Sequence, residues 1–178
     1  MKHGKAHSPD IVVDGDPVLR AVAKPVPKDL FGSPELALLL ARMQKALREE
    51  PYGVAIAAPQ IGASLRIFMV RGYVMMNLRR SDPGANDLAD VPFINPTITY
   101  RSARKEVIQG EGCLSVPNIY GDIERSVRVR VVAQDHKGKK FLKLGSDLLA
   151  EIFEHECDHL DGVLFIDKAT NLHEGKDQ

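Results

Sequence analysis

Several features are missing or scarce in this chain, and each absence excludes a class of protein. The 178 residues include no tryptophan and only two cysteines, Cys113 and Cys157. No apolar run approaches the roughly 20 residues that a membrane-spanning helix needs. Basic and acidic residues each number 24, so no net charge favours a nucleic acid or an anionic membrane as partner. The composition therefore excludes a disulfide-rich scaffold, a transmembrane helix bundle and a strongly basic nucleic-acid binder.

The N-terminal segment is basic, but no apolar stretch follows it, so it predicts no secretory signal. We therefore expect a cytoplasmic protein with both cysteines reduced. A chain of this length with 44% hydrophobic residues predicts one domain, 1–178. Its polar ends, about 1–10 and 171–178, are expected to be loose.

The hydrophobic pattern predicts many strands and two long helices. Ser33 and Pro34 begin a helix that runs to about Glu49 with one apolar face. Strands are predicted at 65–70, 92–100, 104–110, 127–132 and 139–144. A second helix follows a serine cap at Ser146 and ends at Gly162, which is expected to be left-handed. This order predicts an α+β fold, with largely antiparallel strands packed around a central C-terminal helix.

The predicted C-terminal helix contains the sequence HECDH, in which His155 and His159 are four residues apart. Residues at this spacing face the same way, so both imidazoles can bind one metal ion. Glu156 lies about 100° around the helix, where a carboxylate can accept a proton from metal-activated water. Both histidines share an apolar stripe with Leu148 and Ile152, and buried imidazoles need partners. The HExxH pattern therefore predicts a metal site.

A catalytic ion generally has three protein ligands and one open position, so a third ligand is needed. Cys157 is expected to be a small buried residue, because it lies about 200° around the helix from each histidine. The remaining candidates are Cys113, in the segment EGCLSVP, and His173 and Glu174 in the polar end. Residue spacing alone does not decide among these three.

Three segments stand out along the chain: GVAIAAPQIG (53–62), EGCLSVP (111–117) and HECDHLDG (155–162). Together they resemble the peptide deformylases. The family shows AAPQ, EGCLS and HExDHLxG in the same order and at similar separations. The resemblance extends from about Asp16 to Asp167, nearly the whole chain. Three motifs in register are far more specific than any one of them.

The resemblance implies that Cys113, His155 and His159 hold one divalent ion. In the family this ion is typically Fe²⁺ in the cell, and Zn²⁺, Ni²⁺ or Co²⁺ is also accepted. The implied reaction removes the formyl group from the N-terminal formyl-methionine of nascent polypeptides and releases formate.

The resemblance also implies the groups that act on the substrate. Glu156 would be the general base and then the acid, while the Gln60 side-chain amide and the Leu114 backbone N–H would stabilise the oxyanion. A thiolate ligand reduces the charge that acidifies the water, so a neighbouring base matters more than beside three imidazoles.

A peptide substrate can add to an exposed strand edge and place its methionine in an apolar pocket. Candidate edges lie around 53–56 and 111–114. The residues predicted to bind substrate are Gly53, Val54, Ala55, Glu111, Gly112 and Tyr120. The expected partners are formyl-methionine N-termini of nascent chains, at the ribosome, and the enzyme is expected to be monomeric.

The chain departs from the family pattern at three positions. Ala55 stands where glycine is usual, Glu154 where glutamine is frequent, and Tyr120 where a basic residue is frequent. We expect an extended backbone at Ala55, with the methyl group narrowing the peptide channel. Substrate handling is therefore less well predicted than the ligand set.

Two other functions stay open at this stage. A metal peptidase could use the same helix, with His173 or Glu174 as third ligand and Cys113 as a bystander. A non-catalytic relative could bind formylated or other peptides, for which Ala55 and Tyr120 give some support.

Overall fold

Two antiparallel sheets and a long C-terminal helix form the fold of the computed structural model, which describes residues 8–175. The helices are α1 (Pro34–Glu49), α2 (Gly72–Met75) and α3 (Leu148–Leu160). The strands are β1 (Ala55–Ala57), β2 (Ile67–Val70), β3 (Val91–Arg101), β4 (Lys105–Cys113), β5 (Val116–Ser126), β6 (Arg128–Gln134), β7 (Lys140–Ser146) and β8 (Thr170–Glu174). The prediction of an α+β fold with largely antiparallel strands is confirmed.

The strand order places two sheet edges beside the C-terminal helix. The larger sheet runs β1-β2-β3-β6-β7, and the smaller runs β4-β5-β8. Strands β1 and β4 are therefore edge strands, and they contain most of the two segments predicted as edges. An edge strand leaves backbone N–H and C=O groups without strand partners, which an extended peptide can use.

An aromatic cluster fixes helix α3 against the larger sheet. Phe68 and Phe93 stack with ring centroids 4.6 Å apart, and Phe153 of α3 meets Phe93 edge-on at 5.2 Å. All three side chains are completely buried. Because Phe153 is in the middle of α3, its packing sets which face of the helix is turned toward the smaller sheet.

The helix ends agree with the sequence patterns except at the start of α3. The Ser33 hydroxyl accepts a hydrogen bond from the Leu36 N–H at 3.1 Å, so the predicted cap of α1 is confirmed. The predicted cap at Ser146 is wrong, because this residue ends β7 and Asp147, with a positive φ of 51°, makes the turn into α3. Gly162 has the expected left-handed conformation, with φ of 75°.

The prediction of loose chain ends is wrong for the parts that can be described. Strand β8 covers most of 171–175 and pairs with β5, with Tyr120 opposite His173. The side chains of β8 are exposed, and strand pairing needs only backbone groups. The polar sequence therefore did not indicate a strand here. Ser8 is buried, and its backbone N–H donates to Glu50 at 2.8 Å. The rest of both predicted loose ends, 1–7 and 176–178, lies outside the described residues.

Within residues 8–175, no helix has both the length and the hydrophobicity required to cross a bilayer.

Candidate metal centre

The three residues predicted to bind metal come together at the end of β4. The ligand atoms of Cys113, His155 and His159 all lie within 4.8 Å of one another. Cys113 is the last residue of β4, and its Sγ is 3.2 Å from Nε2 of His159. Both histidines project from α3, with ring centroids 4.9 Å apart. One thiolate and two imidazoles suit a divalent transition-metal ion, so these residues fit the metal that the HExxH pattern predicts.

The alternative third ligands do not join this cluster. His173 and Glu174 lie on exposed β8, and neither belongs to a metal-ligand group within 8–175. Cys157 is buried on the opposite side of α3, as expected, and burial raises the pKa of its thiol to about 12. Cys157 packs in the hydrophobic core and does not belong to the ligand cluster, so it is a packing residue.

A buried ion pair holds the first histidine of the motif. Nδ1 of His155 is 2.7 Å from a carboxylate oxygen of Glu111, which leaves Nε2 of the ring for the cluster. Arg125 donates two hydrogen bonds to Glu111, at 2.6 and 2.9 Å, and a third to Asp158 at 2.8 Å. A carboxylate behind a metal-binding imidazole fixes the tautomer and the orientation of the ring. Arg125 in turn fixes the carboxylate.

The charges in this network shift the pKa values of its members. Burial alone would raise the pKa of the Glu111 carboxyl, but hydrogen bonds from Arg125 and His155 outweigh it and lower the pKa to about 2. Burial alone would lower the pKa of His155, but Cys113 and Glu111 outweigh it and raise the pKa well above its ordinary value. Burial lowers the pKa of His159, and the nearby His155 adds to this effect. Glu111 is therefore an anion across the working pH range.

Glu156 lies beside the cluster with a free carboxylate oxygen. The side chain is 4% exposed, and its Oε2 makes no hydrogen bond within the described part of the chain. Burial raises the pKa of this carboxyl to about 7. A buried carboxyl with an unsatisfied oxygen and a pKa near neutrality is suited to exchange protons with a reacting group.

Two predicted hydrogen-bond donors lie near Cys113, one in the AAPQ segment and one in the EGCLS segment. The Oε1 of Gln60 accepts the backbone N–H of Ala57 at 2.8 Å, which directs Nε2 toward Cys113 Sγ at 3.6 Å and Ser115 Oγ at 3.2 Å. Leu114 follows Cys113 in the turn between β4 and β5, and its backbone N–H donates no hydrogen bond within residues 8–175. The structure thus brings both predicted oxyanion donors to the Cys113 side of the cluster.

The first predicted substrate segment lies at the free edge of the larger sheet. A side chain at Gly53 would lie 3.0 Å from Leu47 and Glu50, so glycine permits close packing on the end of α1. Val54 is half-buried beside it. Ala55 is extended, as expected, but it is only 7% exposed and packs in the core cluster beneath α3. The methyl group therefore faces the core, which corrects the expectation that it narrows a peptide channel.

The second predicted substrate segment lies on β4 and β5. Tyr120 pairs with Gly112 across the two strands, and a Cβ on Gly112 would lie 2.8 Å from the tyrosine ring. The same ring stacks on His173 of β8 at 6.2 Å. Glycine at 112 therefore makes room for a tyrosine of the chain itself. Contact of either residue with a substrate stays a prediction.

Sequence reasoning missed Arg125, which is central to the site. Arg125 is only 4% exposed and lies in phase with buried Ile123 on β5, so its alternation could have revealed an arginine that faces inward. Glu154, one of the three departures, accepts hydrogen bonds from Arg101 and Ser126. This acidic residue ties α3 to the sheets.

A buried glutamate next to a thiol–imidazole cluster is the arrangement of a metal-dependent hydrolase. The family model for polypeptide deformylase matches residues 9–175. A peptide deformylase of Heliobacterium modesticaldum is 42% identical over 162 residues, which are 91% of this chain and 94% of that protein. One from Desulforudis audaxviator is 36% identical over 94% of this chain and 97% of its own length.

Solved structures agree with these relatives. The Met-Ala-Ser-bound class I type b peptide deformylase of Acinetobacter baumannii has a TM-score of 0.76 and 32% identity, over 89% of this chain and 96% of that one. The Thermotoga maritima peptide deformylase has a TM-score of 0.74 and 38% identity, over 90% and 96%. The chain belongs to the polypeptide deformylase family.

Proposed function

We propose that this protein removes the formyl group from the N-terminal formyl-methionine of nascent polypeptides, with Cys113, His155 and His159 as ligands of one divalent ion. The convergence of these three ligand atoms next to the free oxygen of Glu156 carries the proposal. Membership of the deformylase family supplies the reaction, which is the hydrolysis of a formamide to formate and a free amine.

When bound, a divalent ion supplies Lewis-acid chemistry, because it acidifies water and polarises a carbonyl group. Glu156 accepts a proton at Oε2 as the water oxygen adds to the formyl carbon. The Gln60 amide and the Leu114 N–H donate to the oxyanion that develops, and each donor contributes roughly 3 kcal/mol. Glu156 then gives the proton to the amine nitrogen as the C–N bond breaks, so formate leaves and the peptide keeps its free N-terminus.

The two sheet edges suit an extended peptide substrate. Strand β1 and strand β4 are both edge strands, and β4 ends at Cys113. A peptide paired with either edge carries its N-terminus to the ligand cluster. This placement supports backbone contacts with residues 53–55 and 111–112, and a side-chain contact with Tyr120 belongs to the same proposal, whereas the Glu111 side chain is buried against Arg125 and His155.

The remaining parts of the proposal concern the setting of the enzyme. We take residues 1–178 as one catalytic domain, which the family match over 9–175 supports. A reduced thiolate ligand suits the cytoplasm, and Fe²⁺ is the proposed ion there, with Zn²⁺, Ni²⁺ or Co²⁺ as substitutes. The enzyme acts as a monomer on chains emerging from the ribosome.

The direct test is the release of formate from formyl-Met-Ala-Ser by protein loaded with Fe²⁺ without oxygen. The matched control is Glu156→Gln, which keeps the ligands and removes the base. Formate release by the parent and its loss in this variant are expected. A loaded parent that binds the peptide but releases no formate would overturn the proposal and favour a non-catalytic relative.

A second variant separates the deformylase from the metal-peptidase alternative. Cys113→Ser is expected to abolish tight metal binding, because a serine hydroxyl is a far weaker ligand than a thiolate. A peptidase that used His173 or Glu174 as third ligand would keep its metal in this variant. Metal content after gel filtration distinguishes the two outcomes.

A further inference from the structure

The hairpin formed by β6 and β7 carries a local excess of positive charge, although basic and acidic residues are equal in number over the whole chain. Residues 127–146 contain one acidic residue, Asp135, and six basic residues, which are Arg128, Arg130, Lys137, Lys139, Lys140 and Lys143. Within the described part of the chain, none of these six side chains forms an ion pair, whereas the neighbouring Arg101, Arg104 and Lys105 each pair with a glutamate. Cations without counter-charges attract an anionic partner.

The outward face of this hairpin is open to solvent. Every second side chain of β6 is buried in the core with α3, and these side chains are Val129, Val131 and Ala133. The side chains between them turn to the opposite face, where Arg128 and Arg130 are exposed. Leu142 and Leu144 of β7 share this outward face and are 57% and 54% exposed. The face therefore offers basic and apolar groups together to a partner.

Tyr100 adds an exposed aromatic ring to the same face. It lies on β3 opposite Arg130 and is 46% exposed. The guanidinium carbon of Arg130 is 5.8 Å from the centre of the tyrosine ring. The Nε of Arg130 donates to the Thr99 hydroxyl at 3.1 Å, which fixes the guanidinium group above the sheet and leaves its two terminal nitrogens available to a ligand. A fixed cation and an exposed ring thus stand side by side.

An antiparallel sheet face with an aromatic ring beside arginines is suited to a single-stranded nucleic acid. Arg128 and Arg130 are two residues apart on one strand, so about 7 Å separates them along β6, which is close to the spacing of successive phosphates in an extended chain. A guanidinium group donates two hydrogen bonds to one phosphate, and a base can stack on the Tyr100 ring. An anionic membrane is a poorer match, because Leu142 and Leu144 lie among longer basic side chains on a flat sheet and do not project into a bilayer.

We propose that the outward face of the β6–β7 hairpin binds single-stranded RNA, with phosphates on Arg128 and Arg130 and one base stacked on Tyr100. The lysines of the hairpin add attraction over a longer range. Of the two single-stranded nucleic acids, RNA is the one present where nascent polypeptides are made, so the choice of RNA rests on the proposed function. The hairpin contains no residue of the ligand cluster or of the proposed substrate segments, so RNA binding and deformylation are measured separately.

The test measures binding of a fluorescently labelled oligouridine of about 12 nucleotides to the metal-loaded protein, by fluorescence anisotropy at roughly 50–200 mM salt. Arg128→Gln/Arg130→Gln is expected to weaken binding about tenfold or more and to reduce the salt slope by about 1.4, because two phosphate contacts are lost. Tyr100→Ala is expected to weaken binding about fivefold or more at an unchanged salt slope, because it removes a stacking surface and no charge.

The matched control is Arg79→Gln/Arg80→Gln, which removes two exposed arginines that lie outside the hairpin and form no ion pair within the described residues. This control is expected to stay within about twofold of the parent, since it removes no phosphate contact. Melting temperatures, and formate release from formyl-Met-Ala-Ser, are expected to match the parent in both arginine variants and show that they are folded.

Four results would overturn the inference. They are a parent that binds no oligouridine at low salt, an equal loss of affinity in the control, an unchanged affinity in Tyr100→Ala, and binding to vesicles of anionic lipid without binding to oligouridine. A parent that releases formate but binds no RNA would refute this inference alone. A parent that binds RNA through Arg128, Arg130 and Tyr100 but releases no formate would refute the proposed function and support the RNA surface.

Discussion

Replacement of Arg125 by methionine is the sharpest test of how the site is supported. Arg125 is 4% exposed and donates two hydrogen bonds to Glu111, whose other contact is His155. Arg125→Met removes the cation and keeps most of the volume, so Glu111 is left as a buried carboxylate without its main partner. Breaking a buried pair in this way costs about 3–5 kcal/mol in the free energy of unfolding.

The lowered pKa of Glu111 is consistent with a cost of this order. Burial acts to raise this pKa, but Arg125 and His155 lower it from 4.5 to about 2. This lowering corresponds to roughly 3 kcal/mol. A lowered carboxyl pKa stabilises the fold above the unfolded value and loses this effect as the pH falls toward the folded value. The cost of Arg125→Met is therefore expected to be larger at pH 7 than at pH 4, by at least about 1 kcal/mol.

Urea denaturation in the presence of a chelator measures this cost at both pH values. Arg101→Met is the matched control, since Arg101 also pairs with a glutamate, Glu154 of α3, but its side chain is 52% exposed, and its cost should stay below about 1 kcal/mol. The double variant Arg125→Met/Glu111→Gln should recover at least about 1 kcal/mol, because the unpaired Glu111 carboxylate is removed. If Arg125→Met costs no more than Arg101→Met at pH 7, the assignment of a buried supporting pair is wrong.

Further predictions concern the chemistry and the core. Glu156→Gln should keep its metal and lose about 10²-fold or more in turnover, because the amide cannot accept a proton; a metal-loaded variant within tenfold of the parent would exclude this base. Gln60→Leu should bind metal normally and lose roughly 10²–10³-fold in kcat, and an unchanged kcat at saturating substrate would remove Gln60 from the mechanism. Ala55→Gly should lower the free energy of unfolding by about 1 kcal/mol without changing peptide preference; altered preference at full stability would place the methyl in the cleft. Iron-loaded protein should lose activity in air faster than nickel-loaded protein, since Fe²⁺ and the Cys113 thiolate both oxidise, and equal half-lives would contradict this.

Short sequence patterns predicted the features that depend on only a few neighbouring residues. The serine–proline start of α1, the alternation of β6 and the positive φ of Gly162 each depend on short-range sterics or capping. The start of α3 was harder, because the choice between Ser146 and Asp147 depends on β7, which continues pairing with β6 up to Ser146. The pairing of β7 with β6 therefore determines where α3 begins.

The contact of Arg125 with Glu111 was not predicted because it depends on the register in which β4 and β5 pair. Arg125 meets Glu111 because β4 and β5 form a hairpin with register shifts between Ile108 and Glu111, where Gly110 takes a positive φ of 72°. Alternation along β5 could show that Arg125 faces inward, but not which acid it would meet. A shift of one residue in a strand reverses the face of every side chain, so the partner depends on the bulge as much as on the pattern.

The choice among candidates for the third metal ligand also depends on contacts between residues that are distant in sequence. Residue spacing left Cys113, His173 and Glu174 as candidates, although Cys113 is 46 positions from His159 and the other two follow the helix closely. In the folded chain, Cys113 joins the two histidines, whereas His173 and Glu174 do not. The chain after α3 turns back to pair β8 with β5, which leaves His173 stacked on Tyr120, while the edge strand β4 ends with Cys113 against α3. The resemblance of three motifs pointed to Cys113, which sequence distance disfavoured, because a family pattern reflects the folded structure and residue spacing does not.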